Sequence, residues 1–160
     1  MVASNTNMPN YKKILVPHDG TEMSDKSLLH AISLALLSKG QLIILNVVDE
    51  HAVPPSTLLA FLNEKGVGNA KENLRNTIES SVKRFLEEKI KICKEKGVED
   101  VSYTLKVGKP TDEIVNAAEE LDADLIVMAS SRISSLITVL GSTARKVIDS
   151  TKRPVLIVHG

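Results

Sequence analysis

Two kinds of apolar pattern alternate along the chain. One is the short unbroken run: Ile14-Leu15-Val16, Leu42-Ile43-Ile44-Leu45, Leu125-Ile126-Val127-Met128 and Val155-Leu156-Ile157-Val158. Runs of this length without alternation predict strands buried on both faces, as in a parallel sheet covered by helices. Val101–Val107 alternates instead and is rich in β-branched residues, which predicts a strand with a more exposed face, at a sheet edge. Strands are thus expected over 12–17, 41–48, 101–107, 125–128 and 154–159. Pro17 has no N–H to donate and is expected to stop the first ladder. The small residues from Ala129 onward are expected to stop the fourth strand.

The other pattern has helical spacing. Leu28, Ala31, Ile32, Ala35 and Leu36 predict a helix capped by Thr21 or Ser24, running to Lys39 and closed by a left-handed Gly40. Leu74, Ile78, Val82, Phe85, Leu86, Ile90 and Cys93 form one stripe of a long helix from Ala70 to Lys96, closed by Gly97. Pro110 stands at or just before the start of a third helix, which carries Ile114, Val115, Ala117, Ala118 and Leu121. Gly141-Ser142-Thr143 opens a fourth, ending at Ser150. Residues 49–69, with Pro54-Pro55, Gly66 and Gly68, are the longest stretch without a period. They read as a mobile loop with a short helical piece around Leu58 to Leu62.

Strand and helix alternate throughout. That predicts an α/β fold, an open five-stranded parallel sheet in the order 3-2-1-4-5 with helices on both faces. In that order the connections reverse between strands 1 and 4. Ligands of open α/β sheets bind at such a reversal, beyond the carboxyl ends of the strands. Those ends are Pro17-His18-Asp19 and Met128-Ala129-Ser130.

At 160 residues, 11–160 read as one domain with one core, after a disordered polar tail over 1–10. Lys and Arg number 20 and balance 20 Asp and Glu, and aromatic residues make up 2%. A nucleic-acid binder would show a basic excess or stacking rings, so that class is set aside. Cys93 is the only cysteine, which fits a reducing compartment, and no apolar run reaches the ~18 residues of a membrane span. The expectation is a cytoplasmic protein with neither nucleic acid nor membrane as partner.

The chemistry on offer lies at the reversal. Asp19 follows a strand end and precedes a glycine, so it is either a turn aspartate bonding its own backbone or an acceptor for a ribose or other polyol. Val47, near the end of the second strand, is core or one wall of a slot for a planar ring. The helix starting at Gly141 has unpaired first N–H groups and a partial positive charge, a ready anion site. His18 is the one histidine near the crevice, but no nucleophile is paired with it. Histidines 18, 30, 51 and 159 show no metal-ligand spacing, and no Gly-rich phosphate loop ending in Lys-Ser/Thr is present. No catalytic or metal-binding residue is therefore assigned, and an enzyme is not expected.

Ile14-Leu15-Val16-Pro17-His18-Asp19-Gly20, Val107-Gly108-Lys109-Pro110, Asp124 to Met128, Leu140-Gly141-Ser142-Thr143 and Pro154 to Val158, taken in order, resemble the universal stress protein family. The resemblance implies a flavodoxin-like, Rossmann-like fold and a homodimer paired through the last strand, Pro154–His159. Some members of the family bind ATP and others do not. It thus implies an adenine-nucleotide pocket for ATP or AMP, with Mg2+ accompanying ATP. Asp19 would serve the ribose, and Val47 and Met128 the adenine. Pro17, His18, Ala129, Ser130, Arg132, Gly141, Ser142 and Thr143 complete the expected site.

The binding members carry Gly, two residues, Gly, nine residues, then Gly and Ser or Thr. Here Ala129 takes the place of the first glycine, Arg132 falls where the second belongs, and the segment before Gly141-Ser142 is one residue short. A methyl at Ala129 and ~3.5 Å less reach argue against the usual pose. The hydroxyls of Ser130, Ser131, Ser134 and Ser135 and the fork of Arg132 offer other phosphate donors. The leading expectation is a dimeric stress-response regulator or sensor with a nucleotide pocket. The alternative is a scaffold or chaperone-like protein that binds no nucleotide and acts through protein contacts.

Overall fold

The structure is a computed structural model that describes residues 7–49, 70–130 and 140–160. The elements are β1 (Lys13–Pro17), α1 (Glu22–Ser38), β2 (Gln41–Val48), α2 (Ala70–Glu95), β3 (Val101–Val107), α3 (Pro110–Glu120), β4 (Leu125–Ser130), α4 (Ser142–Ser150) and β5 (Val155–His159). The helical piece expected at 58–62, the loop around it and Arg132 lie outside the described residues. The sheet order is β3-β2-β1-β4-β5 and every pairing is parallel.

Unbroken apolar runs form the three central strands because both faces of the sheet are covered. Ile14, Val16, Leu42, Ile44, Leu125 and Val127 pack to one side with Leu28, Ala31 and Ala35 of α1 and Leu86 and Cys93 of α2. Leu15, Ile43, Leu45, Ile126 and Met128 pack to the other, with Ile114, Ala117 and Ala118 of α3 and Ala144 and Val147 of α4. Side chains alternate between faces along a strand, so each run feeds two cores. Each fully buried Leu or Ile contributes about 1.5–3 kcal/mol relative to exposure. The alternating strand, β3, is indeed an edge and is nowhere fully buried.

A single carboxylate sets the offset between the two middle strands. Asp124 Oδ2 accepts from the amides of both Lys12 and Lys13, at 2.9 and 2.8 Å, while its own N–H donates to the Lys13 carbonyl at 2.8 Å. The pairing of β1 with β4 then covers only Ile14 with Leu125 and Leu15 with Ile126. Beyond those pairs the carboxyl ends of the two strands are not joined to each other, which opens the sheet at its reversal.

Two local expectations are corrected. The left-handed residue closing α1 is Lys39 (φ 51°), not Gly40. Gly40 is required for closeness instead: a Cβ there would stand 2.8 Å from the Tyr11 carbonyl oxygen and 2.9 Å from that of Lys12. The first strand ends at Pro17 as expected, its last pair being Pro17 with Leu45, where the His18 amide donates to the Leu45 carbonyl at 2.8 Å. The fourth strand runs on through Ala129 and Ser130, which pair with Val158 and His159 of β5. At α2 the expectation holds: Gly97 has φ +101°, and the Val98 amide reaches back to the Cys93 carbonyl at 3.0 Å.

Lys39 carries a Cβ in a conformation that costs a non-glycine residue about 1 kcal/mol. Lys39→Gly is therefore expected to raise the unfolding free energy by about 0.5–1 kcal/mol, read as a higher urea midpoint. A lower midpoint would mean that the lysine side chain supplies more than its backbone loses.

Candidate functional site

The strand ends at the reversal frame a cleft of about 450 Å³. Pro17, His18 and Asp19 enter it from β1, and Val47 from β2. Met128, Ala129 and Ser130 enter from β4, and Gly141, Ser142 and Thr143 from the start of α4. All the expected site residues within the described chain are thus gathered in one place. The cleft also takes in Thr21, Met23 and Ser24 from α1 and its cap, Pro110 and Ile114 from α3, and Ala144, which sequence reasoning had not assigned to the site.

Asp19 is the turn aspartate its sequence context allowed, and it also stands in the cleft. Its Oδ1 accepts three hydrogen bonds, from the Thr21 amide (3.0 Å), the Thr21 hydroxyl (2.6 Å) and the Ser24 hydroxyl (2.6 Å). Thr21 is also the N-cap of α1, accepting from the Ser24 amide. The carboxylate is therefore tied to the helix start by one oxygen, while Oδ2 takes no bond from the described residues. Partial burial raises its pKa, but the Ser24 and Thr21 hydrogen bonds outweigh that and hold the group below the ordinary carboxylate value.

His18 is buried beneath the cleft. Its Nδ1 accepts from the Gly20 amide at 3.1 Å, and its Nε2 lies 3.0 Å from Asp25 Oδ1. The Lys89 ammonium of α2 donates to the same Asp25 oxygen, and the Phe85 ring stands edge-on to the imidazole at 5.1 Å. Asn46 donates from Nδ2 to the His18 carbonyl at 2.8 Å. Burial pushes the His18 pKa down and Asp25 pulls it back in part, leaving it below the usual histidine value. For Asp25, partial burial raises the pKa, but the Lys89 and His18 hydrogen bonds lower it more. Asn46 had a sequence signal, a polar residue inside an apolar run. Asp25 and Lys89 look like ordinary surface charges in sequence.

At the other side of the cleft, Ser130 is buried and its hydroxyl accepts from the Gly141 amide at 3.0 Å. That amide is occupied by the protein itself. Gly141 is the N-cap of α4, and the next three amides, of Ser142, Thr143 and Ala144, take no acceptor from the described residues. A carboxylate, an apolar floor and helix-start amides without an acceptor among the described residues thus share one cleft.

The model of the Universal stress protein family matches residues 10–159. The chain belongs to that family. It is 32% identical over 154 residues to Universal stress protein MJ0577 of Methanocaldococcus jannaschii, covering 92% of this chain and 94% of that one. A solved structure of MJ0577 superposes with a TM-score of 0.74 over 94% of this chain and 97% of that one. Universal stress protein YxiE of Bacillus subtilis is 35% identical over 152 residues, with 93% and 99% of the two chains covered. A universal stress protein solved in complex with cAMP is 27% identical, with a TM-score of 0.67 over 94% of this chain and 98% of that one. Within this family fold, no helix among the described residues is long and apolar enough to cross a membrane.

The charges beneath the cleft make the stability of this universal stress protein depend on pH. His18, Asp19 and Asp25 all have folded pKa values below their unfolded ones, so the unfolded chain binds more protons in each interval. The contribution of His18 is fully present above 6.5 and is lost as pH falls below it towards the folded value. That of the aspartates is lost as pH falls below 3.8. The urea midpoint is expected to fall in two stages on acidification from neutrality, the first removed by His18→Asn. A midpoint constant between about pH 7.5 and 5 would contradict the histidine stage.

Proposed function

We propose that this universal stress protein is a stress-response regulator whose cleft takes an adenine nucleotide, and that it binds rather than turns over its ligand. The observation that carries the reading is the joint presence, in one cleft, of the Asp19 carboxylate and the outward amides of Ser142 to Ala144. The ribose hydroxyls donate to Asp19, the adenine lies against Val47 and Met128, and the phosphates face the start of α4. Mg2+ would arrive with ATP, held by its phosphates. The relative solved with cAMP supports the ligand class. Ala129 and the occupied Gly141 amide favour a phosphate placed deeper along α4 than the usual glycine loop gives.

The protein is proposed to work as a homodimer through β5. Among the described residues that strand pairs with β4 alone, and its Leu156 is 37% exposed, so it offers an open, apolar edge to a second copy. Calorimetric titration with ATP, ADP, AMP and cAMP tests the ligand, and light scattering tests the assembly. Saturable heat from at least one nucleotide is expected, with twice the protomer mass. No heat from any of the four at millimolar concentration would overturn the nucleotide reading, and a protomer mass would remove the dimer.

A further inference from the structure

The turn that presents Asp19 is built around the ring of the residue before it. The His18 amide donates to Leu45 and its carbonyl accepts from the buried Asn46 side chain, so the backbone of residue 18 is pinned to β2 from both ends. The chain then bends back, and the Gly20 amide donates to His18 Nδ1 at 3.1 Å. An amide nitrogen can only donate, so Nδ1 must be the unprotonated nitrogen. The ring hydrogen therefore sits on Nε2 and points at Asp25 Oδ1, 3.0 Å away.

Among the described residues the charged groups facing the ring are Asp25 from α1, Lys89 from α2 and Asp19 from its own turn, while from β2 the neutral Asn46 bonds the His18 carbonyl. Asp25 alone would draw a second proton onto the imidazole. Lys89 bonds the same Asp25 oxygen and also lies over the Phe85 ring at 5.2 Å, so a fixed cation offsets that pull. We propose that His18, kept neutral and hydrogenated at Nε2 by the Asp25–Lys89 pair, is the positioning residue for the turn that carries Asp19 into the cleft. It touches the ligand's partner, not the ligand, and this role rests on the nucleotide reading above.

A second proton on His18 would set an Nδ1–H against the Gly20 N–H, two donors 3.1 Å apart. The 18–20 bond is lost, the turn relaxes, and Asp19 leaves its place. Acid pH therefore weakens nucleotide binding through an imidazole that has no exposed surface, and Lys89 on a separate helix sets where that loss begins.

Two measurements test this. Long-range proton–nitrogen NMR on the full protein reports the His18 tautomer without any ligand. The Nε2–H form is expected, with the Gly20 amide signal moving on the same titration as the ring. An Nδ1–H form, or a Gly20 signal indifferent to the ring, overturns the proposal whatever the protein binds. Titration with cAMP, whose phosphodiester charge is constant between about pH 5 and 8, reads the consequence. His18→Asn returns an acceptor to the Nδ1 position and is expected to hold cAMP within about threefold of wild type, with no loss on acidification. His18→Gln places its acceptor at the other end of the ring and is expected to lose about tenfold. Lys89→Met is expected to move the acid loss to higher pH. Equal affinities for the two His18 variants, both folded by circular dichroism, overturn the positioning role. A wild type that binds no nucleotide while Gly20 follows the ring overturns the proposed function and supports the turn geometry.

Discussion

Asp19→Asn is expected to lower the affinity for ATP about tenfold or more while leaving the fold in place. The two oxygens of this carboxylate have different work. Oδ1 accepts from the Thr21 amide and the Thr21 and Ser24 hydroxyls, and an asparagine carbonyl in its place still accepts there through two lone pairs. Oδ2 is the oxygen left for a ribose, and in asparagine it becomes an amide that cannot accept. A hydrogen bond to a charged acceptor contributes about 1.5–3 kcal/mol, which is the source of the tenfold figure. Asp19→Ala removes both oxygens and leaves the α1 start with unmet donors, so it is expected to lower stability as well as affinity. Calorimetry with a thermal melt on each variant separates the two roles. Equal ATP affinity in wild type and Asp19→Asn would place the ribose elsewhere.

The second large effect lies far from the cleft. Gly40→Val is expected to cost about 2–3 kcal/mol, a large fraction of the usual stability of a domain, read as a fall in urea midpoint. The Cβ alone would enter the space of the Tyr11 and Lys12 carbonyl oxygens, which are backbone and cannot swing away. The Lys12 carbonyl also accepts the Gln41 amide at 2.7 Å, the bond that seats β2 on β1. Pushing the two chains apart there loosens the central pairing of the sheet. A midpoint within experimental error of wild type would mean that this corner yields at little cost.

The sheet was legible in the chain because burial on both faces keeps the central strands almost wholly apolar, with Asn46 an exception. β2 and β3 begin and end where their patterns do, and the reversal between β1 and β4 follows from the order of elements. What escaped was decided by contacts across the fold. Gly40 followed a helix and was given the left-handed position, but Lys39 takes it because the glycine is needed for close approach to β1. Ala129 and Ser130 look like the start of a loop, and only the presence of β5 beside them extends the strand. The place of Asp19 in the cleft followed from its position at a strand end. Its partners Thr21 and Ser24 were visible as helix caps, whereas the His18–Asp25–Lys89 cluster joins three separate elements and has no local signature. The Ser130 hydroxyl on the Gly141 amide escaped for the same reason, since 11 residues of sequence separate the two.

Asp124 has a consequence for how the molecule is made. The carboxylate that seats β1 against β4 stands more than 110 residues downstream of Lys12 and Lys13. While the ribosome is still adding α3, the first strand has a neighbour only on its β2 side, and Leu15 and Ile14 face a gap. The nascent protein can gather β1, β2 and β3 early, but its central seam closes only after Asp124 to Ser130 clear the exit tunnel. A fragment ending before Asp124 would thus end its sheet on β1, an apolar strand with one side open, the kind of edge that chaperones bind and that aggregates recruit.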